Sequence, residues 1–106
     1  MWNVNGNNLQ MCEGDFGLKL PITITGPTFA QNDEIKLVVK TSVNGNTILS
    51  KTFTSISQNT INFEITEAES ALLPVGKYVY CLDWYQNGAF LCNVIPAAIL
   101  KVVEKA

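Results

Sequence analysis

The chain has 106 residues, of which 47% are hydrophobic and only 15% charged, and its formal net charge is −2. It contains no histidine and no arginine, so it lacks the commonest general base and metal ligand and the side chain best suited to clamp phosphate. The length predicts a single domain over residues 1–106. Seven scattered lysines on an acidic chain argue against nucleic-acid binding. A charged share well below the typical 25% or so indicates that a partner covers part of the surface.

The N-terminal residues 1–8 are rich in asparagine and glycine. We expect a flexible arm or a short first strand there. This segment has neither the basic region nor the apolar run of a signal peptide. No apolar run approaches the roughly 20 residues of a membrane helix. We therefore expect a cytoplasmic protein, or one built into a particle that assembles in the cytoplasm.

The next two segments, residues 9–13 and 16–25, are predicted strands. Alternation in the second places five apolar side chains on one face: Phe16, Leu18, Leu20, Ile22 and Ile24. Pro21 lies inside this run, which places the strand at a sheet edge or at a bulge. A loop is expected over residues 26–33.

Three further strands follow, over residues 34–41, 47–54 and 60–65. Each alternates apolar and polar side chains, as a half-buried strand does. The predicted inward residues are Ile35, Leu37, Val39, Leu49, Phe53, Ile61, Phe63 and Ile65. Asn44-Gly45 predicts a two-residue hairpin turn with positive φ between the first two of these strands.

A short helix is predicted over residues 66–73. Thr66 and Glu69 have the spacing of a capping box, in which the hydroxyl and the carboxylate each satisfy a backbone N–H at the helix start. Pro74 and Gly76 are expected to end the helix, the glycine by adopting positive φ.

The last hairpin is predicted from residues 77–86 and 89–95 around Asn87-Gly88, a strong signal for a type I′ turn. The side chains predicted to face inward are Tyr78, Tyr80, Leu82 and Trp84. A two-residue turn would place Trp84 opposite Leu91 and Tyr85 opposite Phe90. After Pro96, a final strand is expected over residues 97–104.

These elements give seven to eight short strands at intervals of about ten residues, with one short helix near residues 66–73. Turns separate the strands throughout, and we see no internal repeat. The pattern predicts an all-β fold, an antiparallel Ig-like β-sandwich.

No residue pattern points to catalysis, a cofactor or a metal. Serine and threonine nucleophiles lack a histidine partner, and the glycines fall singly at turns rather than in a phosphate-binding loop. Cys12, Cys81 and Cys92 have no CxxC spacing, which predicts free thiols in a reducing compartment. The candidate interaction residues are Tyr85 and Phe90 on the outer face, with Trp2. Such rings can anchor a protein contact or stack on a sugar.

The segment ITEAESALLPVGKYVYCLDW, residues 65–84, resembles the N-terminal domain of phage upper-baseplate (BppU-type) and related tail proteins. The matching residues are Thr66, Glu67, Glu69, Ala71, Leu72, Pro74, Gly76, Lys77 and Tyr78. Upstream, DFGLKLPITITG and DEIKLVVK resemble the opening strand and the next strand of such domains, so the resemblance covers about residues 12–104.

This resemblance implies a non-enzymatic structural or assembly module of a phage or prophage virion, assembled in the host cytoplasm. Its partners would be itself or other virion proteins, with no nucleic acid and no membrane. The alternative is a small carbohydrate-binding or adhesion module that uses Tyr85, Phe90 and Trp2 on a glycan.

Overall fold

The computed structural model describes residues 2–17, 19–24, 29–30, 32–54, 56 and 59–104. Eight strands and one short helix are present in this part of the chain. In chain order they are β1 (Asn3–Asn5), β2 (Asn8–Cys12), β3 (Lys19–Thr23), β4 (Asp33–Lys40), β5 (Thr47–Phe53), β6 (Thr60–Glu64), α1 (Glu67–Ser70), β7 (Gly76–Gln86) and β8 (Ala89–Val103). The predicted all-β class is confirmed.

The strands form two sheets, one with the order β1-β2-β8-β7-β4-β5 and one that pairs β3 with β6. The larger sheet is antiparallel except where β2 runs parallel to β8. The sequence did not predict this parallel pair. After β2 the chain crosses to the smaller sheet, so no short hairpin forces β2 and β8 to run in opposite directions. Such a crossing gives the Ig-like sandwich its two layers.

Alternating side chains fill the space between the two sheets. Ile35, Leu37 and Val39 of β4 are fully buried, since this strand lies between β5 and β7 in the larger sheet. The smaller sheet contributes Ile61 and Phe63 to the same core. The predicted inward faces of these strands are therefore confirmed.

The last strand differs from the prediction, because β8 runs without a break through Pro96. Ten steps along β7 from Gly76 to Gln86 match thirteen along β8 from Val102 to Ala89, so β8 carries three extra residues at its register shifts. One shift lies opposite Cys81, where Pro96 falls. The extra residue of a bulge makes no ladder hydrogen bond. Proline, which lacks a backbone N–H, therefore does not interrupt the strand at this position.

The turn between β4 and β5 also differs from the prediction. Neither Asn44 nor Gly45 has positive φ, and the connection is a longer loop in which Thr41 N donates to Asn46 O at 3.1 Å. Gly45 is needed for a different reason: a Cβ there would lie 2.8 Å from Ser42 N and closer still to Thr41 Oγ1. The glycine serves close packing within the loop rather than a left-handed turn.

The strand predicted over residues 16–25 is shorter than expected. Phe16 lies before β3 and is 52% exposed, so the prediction that it shares one face of this strand with Leu20 and Ile22 is wrong. Leu18 and residues 25–28 lie outside the described residues. Among those described, β3 pairs only with β6, which confirms that Pro21 lies in an edge strand.

Candidate functional site

The two ends of β7 have different surroundings, and we name them the base, at Gly76, and the tip, at Gln86. The strand has 11 residues, so the two ends lie about 34 Å apart along it. At the tip, Asn87 and Gly88 have φ values of 52° and 82°. Both positive values confirm the predicted tight turn.

The tip carries an apolar patch, formed by the half-buried Tyr85 and the exposed Phe90 and Leu91, which we call the tip patch. Tyr85 pairs with Phe90 across β7 and β8 as predicted, and the two ring centroids are 5.7 Å apart at an interplanar angle of 76°. Phe90 and Leu91 are 52% and 49% exposed. Lys36 Nζ lies 4.2 Å from the centroid of the Tyr85 ring, so the patch combines apolar surface with a cation.

Trp84 supports the tip patch from the inner face of the sheet. Its ring lies edge-on to Phe29, with centroids 4.9 Å apart, and its Nε1 is buried without a hydrogen-bond partner. Its cross-strand neighbour is Cys92, not Leu91 as predicted. The prediction failed because Leu91 is one of the three extra residues of β8. Leu91 is thereby left exposed beside Phe90.

Trp2 does not share this surface. It is partly buried, and its ring packs on Phe63 with centroids 5.2 Å apart. Trp2 directly precedes β1, whose register with β2 and β8 places it toward the base. The structure therefore brings Tyr85 and Phe90 together and leaves Trp2 at the other end of the sandwich.

The base is held by the predicted capping box. Thr66 Oγ1 accepts from Glu69 N at 3.2 Å, and Thr66 N donates to Glu69 Oε1 at 2.9 Å. The α-helix itself covers only residues 67–70 and ends at Ala71 with ordinary right-handed geometry. Gly76 does not have positive φ, so that prediction is wrong: Gly76 begins β7, and the chain leaves the helix through the turn at residues 71–72.

A lysine links this helix to the edge of the larger sheet. Lys51 Nζ on β5 donates to Glu69 Oε1 at 2.9 Å and to the carbonyl oxygen of Glu64. Partial burial alone would raise the pKa of Glu69, but the hydrogen bonds from Thr66 and the Lys51 ammonium lower it overall. Sequence reasoning missed Lys51 because no local pattern connects positions 51 and 69.

Two tyrosines complete the base from within the core. Tyr78 Oη donates to Pro74 O at 2.6 Å, and Tyr80 Oη donates to Asn7 O. Burial raises the pKa of both phenols. The Tyr78 contact has the form of the tyrosine corner of Ig-like sandwiches, in which a tyrosine at the start of a strand bonds to backbone a few residues upstream. Pro74 therefore accepts a structural hydrogen bond as well as following the helix.

No three thiol or carboxylate side chains of the described residues cluster as a metal site requires. Cys81 is partly buried, and burial together with the nearby Asp83 carboxylate raises the pKa of its thiol, which disfavours a nucleophilic thiolate. Asp33 is buried at the start of β4, where Oδ2 accepts from Ala30 N at 2.8 Å. Its other oxygen has no hydrogen-bond partner.

The chain matches no protein-family model, no curated protein and no solved structure. Within the described ranges, no helix is long and apolar enough to cross a membrane.

Proposed function

We propose that this chain is a non-enzymatic structural module of a phage or prophage virion, of the baseplate or tail-associated kind. It assembles by docking its tip patch against itself or another virion protein in the host cytoplasm. The observation that carries the proposal is the exposure of Phe90 and Leu91 beside Tyr85 at the tight β7–β8 turn. Large apolar side chains held this exposed favour a surface that a partner covers.

The tip patch has the composition of a protein contact. Aromatic side chains concentrate binding energy at interfaces, and they do so best when the unbound protein already holds them in place. The tight turn and the Tyr85–Phe90 edge contact fix both rings before any partner arrives. Lys36 adds a cation that an acidic partner group could approach.

The sequence resemblance to upper-baseplate N-terminal domains supports the same function. The residues that carry the resemblance, from Thr66 to Tyr78, lie at the base rather than at the tip. Their side chains bind to the backbone of neighbouring residues through the capping box and the tyrosine corner. The resemblance thus supports a shared scaffold, and the tip patch is where such a scaffold would meet its neighbour.

The alternative, a carbohydrate-binding or adhesion module, has less support from the geometry. A sugar-stacking platform needs rings that present flat faces side by side. The Tyr85 and Phe90 rings are close to perpendicular, and Trp2 packs on Phe63 far from both. We therefore favour a protein partner for the tip patch.

The test is Tyr85→Lys, because a new charge in the tip patch would have to be desolvated at the contact. Leu72→Lys is the control, since Leu72 is about as exposed as Phe90 but lies next to α1 at the base. Light scattering of the pure chain at rising concentration and pull-downs with the products of neighbouring genes are the measurements. Tyr85→Lys should weaken association while Leu72→Lys leaves it unchanged.

The proposal is overturned if the chain remains a monomer at every concentration and Tyr85→Lys captures the same neighbouring products as the unmodified chain. Circular dichroism of both variants keeps the comparison meaningful, because the fold of each should be intact. If the chain is a monomer and neutral sugars change the NMR signals of the tip patch, the alternative function is favoured.

A further inference from the structure

The outer face of the larger sheet, which points away from β3 and β6, carries three lysines near the base. Lys77 and Lys101 lie directly opposite each other on β7 and β8. Lys40 on β4 is opposite Val79, one step diagonally from Lys77. Like charges placed opposite each other on neighbouring strands are destabilising. The described residues include no carboxylate that forms an ion pair with any of the three.

This positive charge is local, since the whole chain carries −2. The carboxylate of Asp83, also on β7, lies six residues along the strand from Lys77, where it accepts from Asn93 Nδ2 at 2.5 Å. It is therefore too far from the lysine pair to neutralise it. The repulsion between Lys77 and Lys101 is an unfavourable feature that a bound anion would relieve.

Beside these lysines, the outer face of the sheet continues across β2 and β1, where it carries amide side chains. Gln10 is opposite both Lys101 and Asn3, and Asn8 is opposite Asn5. Ile99 N donates to Asn8 Oδ1 at 3.1 Å, which leaves the Asn8 amide N–H groups free to donate outward. Together these residues line a groove, which we call the basic groove: Asn3, Asn5, Asn8, Gln10, Lys77 and Lys101.

The dimensions of the basic groove suit a small ligand. Its volume is about 570 Å³, inside the roughly 300–1,000 Å³ of small-molecule sites. Four strands at about 4.8 Å spacing make it about 14 Å long. Both dimensions therefore fit a small ligand.

We propose that the basic groove binds a sugar that carries a carboxylate or a phosphate group. The ammonium groups of Lys77 and Lys101 hold the anionic group from both sides, as lysines do with phosphate and carboxylate. The amides of Asn5 and Gln10 both donate and accept hydrogen bonds, which matches sugar hydroxyls. This site is separate from the tip patch and does not depend on the function proposed for the tip.

The test is a titration of the ¹⁵N-labelled chain, followed by amide chemical shifts, with glucuronate, glucose 6-phosphate, glucose and inorganic phosphate, each to about 50 mM, which covers millimolar Kd values. The two anionic sugars should give saturable shifts confined to β2, β7 and β8 near the base. Glucose should give none at the same concentrations. Inorganic phosphate should shift the same signals but bind several-fold more weakly, because it lacks the hydroxyl contacts.

Two double variants test the lysine pair and the amide side chains of the basic groove separately. Lys77→Gln with Lys101→Gln should weaken glucuronate binding by about tenfold, the loss expected for charged hydrogen bonds. Lys19→Gln, on β3 of the other sheet, is the matched lysine control and should change nothing. Asn5→Ala with Gln10→Ala should weaken the sugars but leave inorganic phosphate unchanged.

Three results would overturn the proposal. The first is an absence of saturable shifts with both anionic sugars. The second is an equal loss of affinity in Lys19→Gln, which would show a nonspecific charge effect. The third is equal binding of inorganic phosphate and the sugars, which would show that the amides recognise nothing. Since no variant changes a buried side chain, matching spectra away from the groove confirm that each is folded.

Discussion

The base and the tip of the β7–β8 hairpin differ in how they use their side chains. At the base, polar groups bind to one another: Lys51 reaches Glu69, Thr66 caps the helix, and Tyr78 binds Pro74. At the tip, the backbone is fixed by its turn, and the large apolar side chains face solvent. The difference indicates that the polar groups of the base stabilise the fold, whereas Phe90 and Leu91 at the tip stay exposed for the partner contact proposed above.

Substitutions of two phenylalanines, one at each end, should show the largest difference in stability. Phe63 is 1% exposed under Trp2, whereas Phe90 lies in the tip patch. Phe63→Ala should lower the free energy of unfolding by about 3–5 kcal/mol, through lost burial and the cavity left behind. Phe90→Ala should change it by no more than about 0.5 kcal/mol, as other surface changes do. Urea denaturation of both variants measures the contrast, and equal losses would contradict it.

The tyrosine corner gives the next largest effect. Tyr78→Phe removes the hydrogen bond to Pro74 O and leaves that carbonyl without its partner. The expected cost is about 1 kcal/mol. Tyr85→Phe is the matched control at the tip. It should change the free energy of unfolding little, since Tyr85 contacts Phe90 through its ring, which the substitution keeps. Chemical denaturation measures the free energy of unfolding of both variants. A loss of stability in Tyr85→Phe as large as that in Tyr78→Phe would mean that the tip also stabilises the fold.

The helix cap should contribute a similar or smaller amount. Thr66→Ala removes the side chain that accepts from Glu69 N, at an expected cost of about 1 kcal/mol. Thr54→Ala, an exposed threonine just after β5, is the control. Thermal unfolding of both variants should show a lower Tm for Thr66→Ala alone. Similar Tm values for the two would refute the stabilising role of the cap.

The Lys51–Glu69 contact predicts a smaller, pH-dependent effect. Because the pKa of Glu69 is lower in the folded chain than its ordinary value of 4.5, the carboxylate stabilises the fold above that value. The contribution is lost as the pH falls through the folded pKa. The stability difference between the unmodified chain and Glu69→Gln should thus be largest at neutral pH and shrink toward pH 3. Glu67→Gln, in the same helical turn, controls for the helix dipole.

The smallest expected effect is that of a chelator with a reductant. Cys12, Cys81 and Cys92 are free thiols in the structure, and the core of both sheets is apolar. The Tm should stay unchanged when both reagents are added. A large fall would show that a metal or a disulfide supports the fold.

Much of the base could be predicted from sequence because its signals are local. The capping box depends on a three-residue spacing, and the inward faces depend on alternation within one strand. The prediction of a tight turn at Asn87-Gly88 was correct for the same reason. Asn44-Gly45, with the same dipeptide, failed because its loop is longer and the glycine is needed for close approach to Thr41 and Ser42.

The remainder depended on contacts that no local pattern encodes. The bulges that leave Leu91 exposed and carry Pro96 arise from the pairing of β8 with β7. Lys51 meets Glu69 only because the two sheets pack together. The basic groove likewise appears only when the register brings Gln10 beside Lys101. Strand order and register are tertiary properties, so the sequence pattern predicted the strands but not these meeting points.

The central claim, that a protein partner docks on the tip patch while the capped helix and the tyrosine corner stabilise the fold, is tested most directly by hydrogen exchange with mass spectrometry. Peptides over residues 84–92 and 66–78 are compared in the free chain and under conditions where it associates with itself or a neighbouring gene product. The account predicts slower exchange on association in residues 84–92, with residues 66–78 unchanged. Protection confined to residues 66–78, with the tip exchanging as in the free chain, would contradict it.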